Sequence, residues 1–341
     1  MERKRLEAIL ERFSGISVAL VGDLFLDRFY EIDPQLDEPS LETGRAAHQV
    51  VRKRSAPGAG GNVLSAVSAL GVGRIECVSF VGDDGDGWEL LRHLNERRVN
   101  TQRVLRSPAV VTPVYLKPMF LRDGALEEGN RLDVKNFRPT PEAIQDAIIA
   151  RMEEVAEDVD AIILLDQLNE RNFGVVTDRV RRAAAELAQR RPELLIFADS
   201  RAFIHAFRNV TIKCNNFEAL RLAGRPESAE FDPEEVFACM DALRARAGRS
   251  VFVTCNRYGC AVQENGISRM VETARQDGEI DVCGAGDACT AGIVSALCAG
   301  AGDAEAAFIG CLASGVTVRK IGQTGTASPE EILALYDEQW G

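Results

Sequence analysis

No glycine in the 341 residues is followed by lysine, so the phosphate loop G-x-x-x-x-G-K-[ST] is absent and a Walker-type kinase is excluded. Neither G-x-S-x-G nor H-E-x-x-H occurs, which removes the usual serine-hydrolase and zinc-protease signatures. Histidine is scarce: His48, His93 and His205 lie far apart, and the nine cysteines form no C-x-x-C pair, so no structural zinc site is expected. Those cysteines sit mostly inside apolar runs, as small core residues of a reducing compartment do. No apolar run reaches the roughly 20 residues of a membrane span. The charged start MERKRLEAILERF lacks the apolar segment of a secretory leader, so a cytoplasmic protein without a membrane partner is expected. Positive charge is also short. Lys plus Arg total 40 against 52 Asp plus Glu, a net charge of −12, which opposes nucleic-acid binding through a general basic surface. An anionic ligand must then be held by local devices: backbone amides, a few cations or a metal.

What is present is an ordinary globular composition, 46% hydrophobic and 27% charged, in a chain long enough for a large core. Apolar runs of strand length recur at Ile16–Val21, Ile75–Val81, Ala161–Leu165, Leu194–Ala198, Val210–Ile212 and Val251–Thr254. They are continuous rather than alternating, which suits strands covered on both faces. Helical stretches lie between them with readable ends. Asp232-Pro233-Glu234-Glu235 supplies a cap, a proline at the first position and an acid, and Ser328-Pro329-Glu330-Glu331 repeats the device. The pattern predicts an α/β fold, three-layer and doubly wound around a mostly parallel sheet, with ligands beyond the carboxyl ends of the strands. Two stretches, about 31–54 and 104–136, carry prolines, charges and alternating patterns, and are expected to form a small β lid inserted into a single domain spanning 1–341.

Asp281-Val282-Cys283-Gly284-Ala285-Gly286-Asp287 precedes an apolar helix. Glycines there let the amides of Gly284, Ala285, Gly286 and Asp287 converge at the positive end of the helix dipole, making an anion hole with the Asp287 carboxylate beside it. Such a carboxylate can deprotonate an attacking hydroxyl in phosphoryl transfer. Taken alone, the same residues also read as a tight turn with an N-cap. Cys289 stands where a dinucleotide fingerprint would have its last glycine, which argues against a Rossmann dehydrogenase. Near the other end, Gly58, Gly60 and Gly61 allow close approach of a ligand, Asn62 offers a donor and an acceptor, and Asp23 and Asp27 follow the first strand. Each of these has a plain alternative as a loop, cap or turn residue. The lid segments and first motif also gather Arg28, Arg45, Arg52, Lys53, Arg54, Lys117, Arg122 and Arg131, suited either to a phosphate on a sugar or to a salt-bridged surface.

A strand ending in Gly22-Asp23, a glycine-rich segment with Asn62 before a helix, and a late Asp281-x-x-Gly284-Ala285-Gly286-Asp287 together resemble the ribokinase-type (PfkB) carbohydrate kinase family over nearly the whole chain. Val21–Arg28, Pro57–Asn62, Asn130–Asp133 and the Ser328–Glu331 ending are most similar to the heptose-7-phosphate kinase branch. The resemblance implies ATP as phosphoryl donor, Asp287 as base and the Gly284–Gly286 amides as anion hole. It implies a sugar or sugar phosphate held by Asp23, Asp27, Gly58, Gly60, Gly61 and Asn62. It implies Mg²⁺ organised through water by Asn215 and Glu218, although both also read as the cap and an early acid of a helix. Thr254 and Gly259 would border the nucleotide, and Asp281 with Gly322 would hold a monovalent cation such as K⁺. Ala59 and Asn256 stand where relatives commonly have glycine, and Cys214 where proline is usual. A ribokinase, fructokinase or nucleoside kinase of the same family, or a non-catalytic sugar- or nucleotide-binding regulator, are the alternatives. A homodimer paired through the lid strands is expected. No nucleotidyltransferase segment follows residue 341, so the adenylylation step of bifunctional relatives is not expected of this chain.

Overall fold

The computed structural model describes residues 1–224, 231–264, 266–322 and 324–341. Strands follow in chain order as β1 (Ser17–Gly22), β2 (Leu24–Ile32), β3 (Glu38–Pro39), β4 (Ala46–Ala47), β5 (Val50–Ala59), β6 (Arg74–Gly82), β7 (Val104–Ser107) and β8 (Val114–Arg122). They continue as β9 (Ala125–Glu128), β10 (Leu132–Val134), β11 (Ala161–Asp166), β12 (Leu195–Ser200), β13 (Thr211–Asn215), β14 (Val251–Thr254), β15 (Cys260–Glu264) and β16 (Ile267–Val271). The helices are α1 (Arg3–Leu10), α2 (Gly60–Ala69), α3 (Gly85–Glu96), α4 (Glu142–Ala156), α5 (Asp178–Arg190), α6 (Asn216–Leu222), α7 (Pro233–Ala247), α8 (Ala285–Cys298), α9 (Asp303–Thr317) and α10 (Pro329–Trp340).

The large sheet has the order β16-β15-β14-β13-β12-β11-β1-β6-β7. It is parallel from β7 through β14, and the β14–β15–β16 edge is antiparallel. Leu6, Leu64, Leu90, Ile293 and Ile332 pack α1, α2, α3, α8 and α10 into one core with α9, on one face. Ile148, Val180, Leu220 and Met240 pack α4 to α7 into a second core on the other. Ala161 through Leu165 are all 0% exposed, which is why the run is apolar without alternation. Each fully buried aliphatic side chain contributes about 1.5–3 kcal/mol relative to exposure. The caps read from sequence are present: Asp232 accepts from the Glu234 amide, and Ser328 with Glu331 makes a reciprocal capping box. Among the described residues no helix is long and apolar enough to cross a membrane.

A second, five-stranded sheet has the order β10-β8-β2-β5 with β9 paired to β8. Its strands differ from the stretches expected for the insertion. β2 starts at Leu24, with only Asp23 between it and β1, because Leu24, Phe25 and Leu26 are buried and the chain resumes as strand directly after the Gly22-Asp23 corner. Val104–Ser107, expected in this small sheet, instead pairs in parallel with β6 at the edge of the large one. Its two apolar residues were too few to tell one sheet from the other.

Candidate active site

In a parallel sheet with a reversal in strand order, the carboxyl ends of the central strands open onto one crevice. Here β1 has β6 on one side and β11 on the other, and Asp23, Asp166, Asp199, Asn215 and Thr254 lie at or next to the carboxyl ends of β1, β11, β12, β13 and β14. The N-terminal part of α8 reaches the same edge: Thr290 Oγ1 donates to Asp199 Oδ2 at 2.7 Å. Gly284 is the N-cap of α8 with φ +77°, and a Cβ there would come within 2.7 Å of Thr324 Cγ2, so glycine is required on two counts.

The first-turn amides divide. The Ala285 N–H, expected in the anion hole, donates to Val282 O at 3.2 Å and closes the turn. The Gly286 and Asp287 amides make no hydrogen bond to an acceptor among the described residues. They are two of the unpaired donors that every helix start carries, and with the dipole they suit an anion.

Asp287 is half-buried, and its side chain lies near Asn62 in the first turn of α2. Burial, and then the nearby Asp199 charge, push its carboxyl up to about 7, against the opposing pull of Lys213, the Asn62 side chain and Arg201. A carboxylate poised there is a competent general base at neutral pH.

Glycines set the other wall. The Gly60 N–H donates to Asp23 O at 2.8 Å, and a Cβ on Gly60 would sit 2.6 Å from that oxygen. Gly61 is pressed against Pro57, and a Cβ on Gly58 would lie 2.8 Å from Asp27 Oδ2. Ala59, between them, has φ +49° and ψ −119°, a conformation that favours glycine.

The two aspartates of the first motif separate. Asp23 is 3% exposed. Its Oδ1 accepts from the Val175 amide at 2.7 Å and its Oδ2 from the Gln167 amide at 2.9 Å, so both oxygens anchor the chain after β11. Burial raises its pKa and these amides oppose the rise. Beneath it Asp166, pushed up to about 7 by burial and by Asp23, is held by Arg181 and Ser200. Asp27, on β2, is half-buried and lies against Gly58. Burial raises its pKa against the opposing charges of Lys117 and Arg131.

Asn215 and Glu218 form a capping box at the start of α6, each side chain accepting from the other's amide at 2.8 Å. The helix-cap alternative is therefore real, yet it leaves Glu218 Oε1 without a hydrogen bond among the described residues, at the crevice edge. Asn216 Oδ1 is buried with no hydrogen-bond partner among the described residues. Thr254 Oγ1 donates to Cys214 O at 3.4 Å. Gly259, at φ +98°, is explained by packing, since any Cβ would collide with Val271 O. Asp281 accepts from the amides of Cys283 at 2.9 Å and Gly322 at 3.1 Å, joining two loops beside the α8 start.

Most of the small-sheet cations are already paired: Arg28 with Asp86 and Glu89, Arg52 and Arg54 with Glu31, Arg122 with Glu127, and Arg131 with Asp133. Lys117 has an aromatic neighbour instead, its ammonium 5.0 Å from the Phe29 ring centre. The sequence reading missed Asp199, Lys213 and Thr290. The available signal was Lys213 itself, a lone cation inside an otherwise apolar strand end.

Fold and site together define an α/β phosphotransferase whose crevice is lined by a helix start and a carboxylate. The model of the pfkB family of carbohydrate kinases matches residues 125–331, more than half of the chain, and the chain belongs to that family. It is 29% identical over 338 residues to the "Bifunctional protein HldE" of Hyphomonas neptunium, covering 97% of this chain and 65% of that one. A protein of the same name from Trichlorobacter lovleyi is 26% identical over 337 residues, covering 98% and 65%. The chain thus spans slightly less than two thirds of these relatives' length. Phosphofructokinase-2 from Escherichia coli in complex with potassium superposes with a TM-score of 0.72 at 16% identity, covering 95% of this chain and 98% of that one. Ribokinase of Arabidopsis thaliana complexed with ribose and ATP gives 0.67 at 16% identity, covering 94% and 98%. These likenesses establish the ribokinase-like fold, and the family makes the chain a sugar kinase.

Proposed function

We propose that the chain transfers the γ-phosphoryl group of ATP to a hydroxyl of a sugar phosphate in the cytoplasm, a heptose 7-phosphate being the acceptor implied by the resemblance. The observation that carries the reading is the start of α8, where the Gly286 and Asp287 amides have no acceptor among the described residues and the Asp287 carboxyl stands beside them, facing the glycine-rich start of α2 at Asn62. Asp287 accepts the proton of the acceptor hydroxyl as its oxygen attacks phosphorus and the bond to ADP breaks. The Gly286 and Asp287 amides meet the charge on the transferring group. Asp27, the backbone at Gly58 to Gly61 and Asn62 align the acceptor, while Asp23 holds the neighbouring chain in place.

Lys117, next to Asp27 and without a carboxylate partner among the described residues, supports a phosphate on the acceptor. The nucleotide would border Thr254 and the turn to Gly259. Glu218, with one oxygen that has no hydrogen bond among the described residues, and Asn215 and Asn216 beside it form an all-oxygen donor set that suits Mg²⁺, which binds through few carboxylates together with water and phosphates. Bound there, the ion would neutralise phosphate charge. Asp281 and Gly322 are proposed to border a K⁺ site. Two copies would pair over the small sheet, where Val50, Val51, Leu132 and Val134 are exposed; light scattering that finds only monomer at micromolar concentration rejects this.

The reading is tested by ADP release from Mg·ATP over a panel of sugars and sugar phosphates. Turnover confined to phosphorylated sugars supports it. Turnover with ribose or fructose alone favours the ribokinase or fructokinase alternative, and binding without turnover favours the regulator.

A further inference from the structure

Lys213 is the middle residue of β13 and is 5% exposed, flanked by Ile212 at 1% and Cys214 at 0%. Its ammonium donates to Asp199 Oδ2 at 2.6 Å, and the same oxygen accepts from Thr290 Oγ1 at 2.7 Å. Asp199 is its register partner on the neighbouring strand, and Thr290 lies one turn beyond Asp287 on α8. A Cβ built on Gly286 would find Lys213 Nζ 4.0 Å away and no nearer neighbour. The ammonium therefore lies next to Gly286, whose amide makes no hydrogen bond to an acceptor among the described residues. An ammonium has three donors, and Asp199 is the one acceptor bonded to it among the described residues. Burying such a cation is expensive unless its donors and charge are met. An apolar side chain would complete this strand without that cost, so the position of Lys213 calls for an anion arriving from the crevice.

We propose that the Lys213 ammonium is a binding group for the phosphoryl group in transfer, acting from β13 while the Gly286 and Asp287 amides act from the start of α8. Asp199 and Thr290 are positioning residues that fix the ammonium in place. This rests on the phosphoryl-transfer reading above. As the bond to ADP breaks and the bond to the acceptor oxygen forms, the acceptor proton goes to Asp287 and Lys213 keeps its own protons throughout. A fixed cation facing the transferring oxygens is worth more to the transition state than to bound nucleotide.

The test uses Lys213→Met and the double variant Asp199→Asn/Lys213→Met, which leaves no carboxylate buried alone and keeps an acceptor for Thr290. Turnover is measured with the best acceptor. Calorimetry measures affinity for Mg·ADP alone and for Mg·ADP with aluminium fluoride, whose bound complex resembles the transferring phosphoryl. In both variants kcat should fall roughly 100- to 1,000-fold with the ATP KM within about threefold, as for loss of a transition-state donor. Affinity for Mg·ADP should stay within about threefold while that for the fluoride complex falls roughly 100-fold. If the single variant does not fold, the double variant decides. A folded variant with kcat within about threefold of wild type, or equal losses for ADP and the fluoride complex, overturns the assignment. A wild-type protein that turns over no acceptor overturns the kinase reading itself and this inference with it.

Discussion

Asn62, in the first turn of α2, neighbours Asp287, in the first turn of α8, and its side chain favours the ionised carboxylate. Two segments far apart in sequence, each glycine-rich where its helix begins, thereby meet at one edge of the sheet. α2 and α8 belong to the same face of the sheet, and that packing holds them together.

Replacing Asp287 by Asn removes the base and keeps the shape. Turnover should drop roughly 10³-fold or more, with the fold intact by circular dichroism. The same variant should be more stable than wild type at alkaline pH. The folded Asp287 carboxyl sits at about 7, above an unfolded value of roughly 3.9, so its stabilising contribution is complete only below the unfolded value and is lost as pH rises through the folded one. Thermal unfolding at pH 8 should therefore show the Asn variant melting higher, with the gap shrinking towards pH 4.

Asn62 holds the Asp287 carboxyl down from where burial alone would put it. Asn62→Ala should move the acid limb of the kcat/KM profile to higher pH. Activity at pH 7 should fall roughly tenfold and recover in part at pH 9, because a base must be ionised to act. An unchanged limb would mean that another group controls it.

The layered fold was legible because burial on both faces of the large sheet writes continuous apolar runs, as at Ala161–Leu165. The helix ends were legible from local chemistry, as at Asp232 and Ser328. The site was only partly so. Nothing local separates Asp23 from Asp27, because the partners that decide, the Gln167 and Val175 amides, come from a distant loop. Asn215 and Glu218 carry two readings because one spacing serves both a capping box and a place at the crevice edge. The two departures from glycine, Ala59 at φ +49° and Asn256 at φ +51°, kept the positive-φ backbone without the residue that adopts it freely.

That retained backbone gives a stability prediction. Ala59→Gly relieves a conformation costing about 1–3 kcal/mol, less the roughly 0.5–1 kcal/mol by which glycine favours the unfolded chain. The net expectation is a gain of about 1 kcal/mol, read as a higher urea midpoint at unchanged slope. A lower midpoint would show that the Ala59 methyl makes a contact worth more than the strain.

Glu218→Gln keeps an oxygen to accept from the Asn215 amide, so the cap of α6 survives. The lost charge should raise the Mg²⁺ concentration for half-maximal activity roughly tenfold, with melting temperature nearly unchanged. An unchanged Mg²⁺ requirement would confine Glu218 to its capping role.

The most direct measurement is ADP release from Mg·ATP by wild type and Asp287→Asn with each sugar and sugar phosphate. Acceptor-dependent turnover in wild type that nearly vanishes in a folded Asn variant is the predicted result. Turnover that survives the substitution would place the chemistry elsewhere and contradict the account.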